Sequence, residues 1–258
     1  DGTSYQYAAV RNLSGTAVLW VLALATKRRD TPRYVRRDIA PILVGGIGVA
    51  GFFPLFSESF HRTGVAVAAV VSIGVAPIFV GIIAALFLGQ RPGWKWLLGT
   101  LVAVAGVTAL NWPGADTSID TFGVALAVAA ALAYSWQATG MGILTRRHSS
   151  FRAVAPIFTV GSILQAPLAW GKSFDYLRDP VLVAGNLYGG IMTVAIAYAL
   201  FTFGVRHVGT ATAVTVGLTE PLTATILGVT VLGEVLAPLG VIGLVTILVG
   251  LIIVSLPS

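Results

Sequence analysis

Nine stretches of this chain are each long and apolar enough to form a helix that crosses a lipid bilayer: residues 8–26, 39–57, 64–88, 94–111, 121–144, 152–170, 181–204, 208–232 and 236–256. A crossing takes about 20 mostly apolar residues for a hydrocarbon core of about 30 Å. The segments lack period-two alternation, which argues against the strands of a membrane β-barrel. Composition points the same way. Hydrophobic residues fill 56% of the 258 positions and charged ones 10%, whereas a soluble domain carries about 25% charged residues. So few charges cannot cover a water-facing surface, and so apolar a chain is not disordered. There is no cysteine, hence no disulfide, thiol nucleophile or thiolate metal site. The first apolar run lacks a basic leading region, so it does not read as a cleavable signal peptide. The predicted fold is an all-α polytopic membrane protein with nine transmembrane helices.

The net charge of +6 would suit a nucleic-acid binder if it were clustered on one face. It is instead sorted by loop. With nine crossings, one side receives Lys27, Arg28, Arg29, Arg33, Arg36, Arg37, Arg91, Lys95, Arg146, Arg147, Arg152 and Arg206. The other receives Arg62, Lys172 and Arg178, with Arg11 just inside the first helix. Basic loops stay cytoplasmic. Loops 27–37, 89–95 and 145–152 and the C-terminus are therefore expected in the cytoplasm, and the N-terminus outside. The expected location is a bacterial inner (plasma) membrane. The lipid bilayer is an expected partner and nucleic acid is not.

The chain also repeats itself. A shift of 144 residues lays Ala69 on Ala213, Pro77 on Pro221, Gly89 on Gly233, Gly99 on Gly243 and Gly106 on Gly250, with Gln90 on Glu234. With one residue of slip, Gly45 and Gly64 fall on Gly190 and Gly209. The third span thus maps to the eighth and the fourth to the ninth. A displacement of five spans reverses direction through the membrane, so the copies form an inverted-topology repeat, a common architecture of secondary transporters. We expect a first repeat over residues 1–115 and a second over 116–258. The span 121–144 has no mate in the first copy, and residue 1 is Asp rather than Met. Both predict a tenth helix ahead of residue 1, in a parent of two five-helix repeats.

Two stretches carry a family resemblance. The first runs Gly64-Val-Ala-Val-Ala-Ala-Val-Val-Ser-Ile-Gly-Val-Ala-Pro77, then Ala85-Leu-Phe-Leu-Gly-Gln90, and closes with Gly99 and Gly106. The second runs from Ala211 to Pro221, then Leu232-Gly-Glu234, then Gly243 and Gly250. A small-residue helix with a central Pro, a Leu-Gly-Glu turn and a Gly-rich helix form the pattern of the drug/metabolite transporter superfamily. The chain resembles its EamA-type branch over essentially its whole length. The first copy departs in having Gln90 for Glu. The resemblance implies a carrier of small organic solutes, amino acids or their derivatives, moved outward by alternating access about a midplane site. It also implies that the family's first helix helps line that site.

Glu220 is the leading candidate residue. It lies about 12 residues from either end of the eighth span, roughly 17 Å of rise and hence near the midplane. An ionisable group there is a functional hypothesis by default. It would take and release a proton during a transport cycle, or, as the alternative, stay protonated and lock helices together by hydrogen bonds. Pro221 lacks an amide donor and disrupts the helix one turn earlier. Pro77 holds the same place in the first copy, and both are expected hinges. Thr212, Thr215, Thr219 and Thr223 form a stripe beside Glu220, which lines a polar cavity or bonds locally, as threonines often do in membrane helices.

The expected substrate-binding set is Ser72, Tyr134, Trp136, Gln137, Asn186, Tyr188, Tyr198, Thr215 and Thr219. Each has a packing alternative. Tyr188, Met192, Ala195 and Thr202 are read as one face of the seventh span, a cavity wall or a hydrogen-bonding seam. Arg11 either snorkels to the headgroups or pairs with Glu58 as an outer gate. Trp94, Trp96, Trp112 and Trp170 read as interfacial anchors. Gly45, Gly46, Gly185, Gly189 and Gly190 permit close helix contacts.

His61, His148 and His207 fall in loops or at helix ends, so no intramembrane histidine pair offers a metal site. No His-Glu-x-x-His, Gly-x-Ser-x-Gly or P-loop pattern occurs. Neither a metal nor another cofactor is expected, and the chain is not read as an enzyme. Apart from Arg11 near one face, no Lys or Arg lies inside a helix core, which disfavours phosphorylated solutes that need fixed positive charge. The expected function is secondary active export of a small metabolite, coupled to protons through Glu220. The alternatives are an uncoupled facilitator or exchanger, or a scaffold or sensor on the same fold.

Overall fold

The computed structural model describes residues 2–27, 31–90, 92–112, 120–169, 174–233 and 237–256. These contain helices α1 (Gly2–Ala25), α2 (Arg36–Gly64), α3 (Ala66–Phe87), α4 (Trp94–Leu110), α5 (Thr121–Thr145), α6 (Ser150–Ala169), α7 (Pro180–Val208), α8 (Thr210–Leu232) and α9 (Pro238–Ser255). Among the described residues, eight have the length and hydropathy of membrane spans, and α4 is a shorter apolar helix. The fold is the all-α membrane architecture predicted above. The largest boundary difference is in α2, which runs to Gly64 rather than ending at 57. Asp1, Arg28, Arg29, Arg91, residues 115–119 of the acidic loop, Trp170, Lys172 and Glu234 lie outside the described residues.

Four glycines set the helix ends. Gly64 (φ 79°, ψ 164°) precedes α3, and Gly209 (φ 83°, ψ 162°) precedes α8. Gly89 (φ 63°) and Gly233 (φ 71°) follow those helices. Side chains other than glycine's disfavour these conformations. They are also two of the pairs that the sequence repeat aligns, so α3 and α8 begin and end on matching backbone. At the start of α8, Gln90 Oε1 accepts the Thr210 amide at 3.1 Å, one of the first-turn donors that a helix leaves unpaired. Gln90 therefore supplies an acceptor where the motif has Glu.

Packing divides the chain into two compact units, unit 1 (Asp1–Pro54 and Trp136–Val208) and unit 2 (Leu55–Ser135 and Gly209–Ser258). In unit 1, α1 is tied to α6 by a ladder of side chains. Asn12 Nδ2 donates to Gln165 Oε1 at 2.6 Å, the Thr16 and Ser162 hydroxyls lie 3.4 Å apart, and Trp20 Nε1 donates to Thr159 Oγ1 at 2.9 Å. Gln165 Nε2 also donates to the Val49 carbonyl at 3.0 Å and approaches that of Ala50 at 3.4 Å. The Ala50 carbonyl lacks its usual helical donor because Pro54 has no N–H. Leu19, Val49, Met141, Leu144, Ile157 and Phe158 fill the core.

At the loop end of unit 1, Asp38 Oδ2 lies 2.9 Å from His148 Nε2, with Arg147 at 3.5 Å from the other oxygen. Tyr34 stacks 4.6 Å from the His148 ring, under the Arg152 guanidinium at 4.5 Å, and its hydroxyl donates to the Arg152 carbonyl at 2.8 Å. Burial pushes the Tyr34 phenol pKa up against the lowering effect of Arg152, with Asp38 adding to the rise.

In unit 2, α4 and α9 run against each other through glycines. A Cβ on Gly106 would stand 2.8 Å from the Gly243 carbonyl oxygen, and one on Gly243 would stand 2.8 Å from that of Gly106. Gly99 and Gly250 repeat the arrangement at 2.7 and 2.6 Å. The repeat maps Gly106 to Gly250 and Gly243 to Gly99, so it carries one contact into the other, as a two-fold relation requires. Ala103, Val107, Leu218, Leu222 and Ile247 form the adjoining core.

Candidate solute-binding site

Two glycines bring α1 and α7 together in unit 1. A Cβ on Gly190 would stand 2.6 Å from the Arg11 carbonyl oxygen, and one on Gly15 would stand 2.6 Å from that of Gly190. Beside this contact is a cavity of about 550 Å³ whose lining includes Tyr7, Arg11, Phe53, Gly185, Asn186 and Gly189. The Arg11 stem passes over Gly189, where a Cβ would stand 3.4 Å from Arg11 Cδ. Its guanidinium carbon lies 6.0 Å from the centre of the Phe53 ring, and Nε is buried without a hydrogen-bond partner among the described residues. Asn186 is 8% exposed, and neither its Nδ2 nor its Oδ1 has such a partner. Buried polar groups are nearly always paired, so the two side chains mark this cavity out.

Immediately after Gly189, α7 widens into a π-helical segment, Gly190–Ile196, in which the Ala197 amide bonds the Met192 carbonyl. Wide turns of this kind are rare and recur at functional sites.

Unit 2, described by itself, contains a broken helix. α8 is helical over Thr210–Val216 and again over Thr219–Leu232, with Gly217 and Leu218 in a turn between. Pro221 offers no amide to the Gly217 carbonyl, which accepts the Glu220 amide at 2.9 Å instead. Glu220 therefore sits in the first turn of the second segment, where the helix dipole favours a carboxylate. It is exposed rather than buried. Thr215, two residues before the break, is fully buried and engaged. Its Oγ1 accepts from Trp96 Nε1 at 3.1 Å, lies 3.1 Å from Thr100 Oγ1 and bonds the Ala211 carbonyl.

The comparisons with known proteins agree with this architecture. The family model described as the EamA-like transporter family matches residues 2–112 and 121–256. The chain belongs to that family. "Uncharacterized transporter YwfM" of Bacillus subtilis is 31% identical over 83% of this EamA-like chain and 72% of its own. The "Threonine/homoserine exporter RhtA" of Escherichia coli K12 is 26% identical over 82% and 70%. The "Probable terminal-alkyne amino-acid exporter" of Streptantibioticus cattleyicolor is 24% identical over 86% and 75%. A solved crystal structure, 19% identical, covers 97% of this chain and 86% of its own with a TM-score of 0.77, which shows a shared fold. The EamA-like chain is thus a transporter and an integral membrane protein.

The residues expected to line one site divide between the units. Arg11, Trp136, Gln137, Asn186, Tyr188 and Tyr198 belong to unit 1, and Glu58, Ser72, Pro77, Tyr134, Thr215, Thr219, Glu220 and Pro221 to unit 2. Of these, the described cavity unites Arg11 and Asn186. Gln137 and Ser72 are buried, with Nε2 and Oγ unpartnered among the described residues. Tyr134, Trp136 and Thr219 are half-buried, and Pro77 is buried.

Within unit 2, Glu58 accepts from Arg62 Nε at 2.7 Å one helical turn away, and Arg62 also faces Asp120 at 3.6 Å. Two expectations need correction. The shared face on α7 does not hold. Tyr188 is 65% exposed and Met192 41%, while Ala195 and Thr202 are fully buried. The π turn between them shifts the 3.6-residue register on which that face depended. Tyr198 packs into the core instead, its ring 4.8 Å from Phe158. Trp96, expected at the lipid interface, turns inward to Thr215, with its ring in the space that a Gly81 side chain would take; Trp94 is 70% exposed, as an anchor is.

Sequence reasoning missed Tyr7, Phe53 and Gly185 as cavity residues. It also missed the Asn12–Gln165 ladder. Polar residues at mid-span in two helices were the available signal for the ladder.

Proposed function

We propose that this EamA-like chain exports a small neutral or zwitterionic metabolite, an amino acid or amino-acid derivative, across the plasma membrane. Residues 1–115 and 116–258 act as two inverted repeats in alternating access. Loops 27–37, 89–95 and 145–152 and the C-terminus face the cytoplasm. Two relatives named as amino-acid exporters support the solute class. The observation that carries the reading is the break in α8 beside Glu220. Discontinuous helices place unpaired backbone groups and a helix N-terminus where solutes and coupling ions bind. In this reading Glu220 carries the coupling proton, Pro77 and Pro221 are hinges, and Ser72, Gln137 and Thr219 contact the solute.

The test is counterflow and net flux of L-threonine and L-homoserine in proteoliposomes, with and without a pH gradient. The wild type should respond to the gradient, and Glu220→Gln should keep counterflow while losing that response. An unchanged response in Glu220→Gln removes Glu220 from coupling. The exposure of Glu220 favours a second reading, uncoupled exchange, which predicts full counterflow and no gradient response in the wild type.

A further inference from the structure

We infer that the cavity of unit 1 binds the α-carboxylate and α-ammonium groups of an amino acid, Arg11 taking the first and Asn186 the second. This rests on the exporter reading and names the chemistry that its solute must carry. Arg11 is a fixed cation inside a membrane span, where charge is costly unless it meets an opposite charge. Among the described residues no carboxylate lies within ion-pair distance of it. Its guanidinium is thus open to an anion carried by a ligand. A carboxylate fits the planar guanidinium fork with two parallel hydrogen bonds.

Asn186 decides what else that ligand carries. Its amide lines the same cavity, buried, with both the donor and the acceptor unpartnered. Gly189, which supports the Arg11 stem, is three residues on and on the same helix face as Asn186. The amide oxygen is an acceptor and calls for a donor such as an ammonium group, while its NH₂ donates to an oxygen. A purely anionic guest leaves the oxygen unpaired, and a purely cationic one faces Arg11. A zwitterion satisfies both. The volume of about 550 Å³ lies within the usual range of small-molecule sites, about 300–1,000 Å³. At Gly185 a Cβ would meet nothing within 4 Å, which leaves room for the ligand's own side chain against Phe53.

The experiment is competition for L-threonine counterflow by the intact protein in phosphatidylcholine vesicles, using unlabelled L-threonine and L-threonine methyl ester. The ester keeps the ammonium and masks the carboxylate. In the wild type the ester should compete more weakly, on the order of 10- to 100-fold, the worth of a charged hydrogen bond. In Arg11→Gln the acid should weaken to the level of the ester, and Arg11→Lys should recover part of the difference. Gly185→Leu, which adds bulk to the cavity lining where a Cβ meets nothing within 4 Å, should abolish competition by both while the protein stays monodisperse. Equal competition by acid and ester in the wild type overturns the inference without any variant. So does a difference that persists in Arg11→Gln. If the wild type moves neither L-threonine nor any other α-amino acid, the exporter reading falls and takes this inference with it. If amino acids move but acid and ester are equivalent, the inference alone falls. Adding phosphatidylglycerol tests a lipid occupant. Inhibition of wild-type counterflow that Arg11→Gln relieves assigns Arg11 to a headgroup phosphate and overturns the proposal.

Discussion

α4 and α9 of unit 2 meet backbone to backbone, whereas α1 and α6 of unit 1 are joined by side-chain hydrogen bonds. Both are pairs of a helix with the helix five spans on, so the repeat has solved one packing problem twice. Lipid tails are as apolar as leucine, and no hydrophobic force drives helices together within the bilayer. What remains is close packing or hydrogen bonding. Unit 2 uses the first along Gly99, Gly106, Gly243 and Gly250. Unit 1 uses the second along Asn12, Thr16 and Trp20. Backbone packing tolerates no added volume. A hydrogen-bonded seam yields in steps, and its helix α1 also borders the described cavity, together with α2 and α7.

The sharpest break in this contrast is Gly106→Leu. A Cβ there would stand 2.6 Å from the Ile247 amide nitrogen, and backbone atoms cannot move aside. We expect a cost of about 3 kcal/mol or more, read as loss of the monodisperse fraction on size-exclusion chromatography in detergent. Gly190→Ala should cost about 1–3 kcal/mol and lower the melting temperature together with solute affinity. Gly185→Ala, with open space around its Cβ, should leave the melting temperature unchanged. Gln165→Leu strands the Asn12 amide and should cost about 1–2 kcal/mol; adding Asn12→Leu should recover part of it in a double-mutant cycle. Thr215→Val removes the Trp96 bond and should cost about 0.6 kcal/mol, with a shift in Trp96 fluorescence as the clearer readout. If Gly106→Leu proves milder than Gln165→Leu, the contrast between the seams is wrong.

Much of the fold was legible in the sequence because bilayer thickness fixes span length, and the nine apolar runs correspond to nine helices among the described residues. The glycines at 64, 89, 209 and 233 were legible as punctuation, although their matched dihedral angles were not. The break in α8 was only half legible. Pro221 signals a disruption, but the turn falls at Gly217 and Leu218, since the carbonyl that loses its donor lies four residues earlier. The wide turn in α7 has no such signal. Gly190–Ile196 contains no proline, so Tyr188 and Thr202 were assigned one face that the chain does not keep. Arg11 and Asn186 are 175 positions apart in sequence. Their convergence follows from the fit of Gly15 on Gly190, and each of those glycines taken alone reads only as a small residue in a helix.

The wide turn of α7 also stores slack. An i→i−5 bond such as that from Ala197 to Met192 takes up one residue more than the regular ladder needs. A helix with a spare residue can lose it and still present both ends as before. α7 should therefore absorb a single deletion within 190–196 that α4, a regular helix wedged along its glycines, would not survive. Passing the spare residue along the helix instead would turn everything on one side of it by about 100°, enough to swing a cavity-wall residue such as Asn186 off its wall without moving the α7 terminus near Val208.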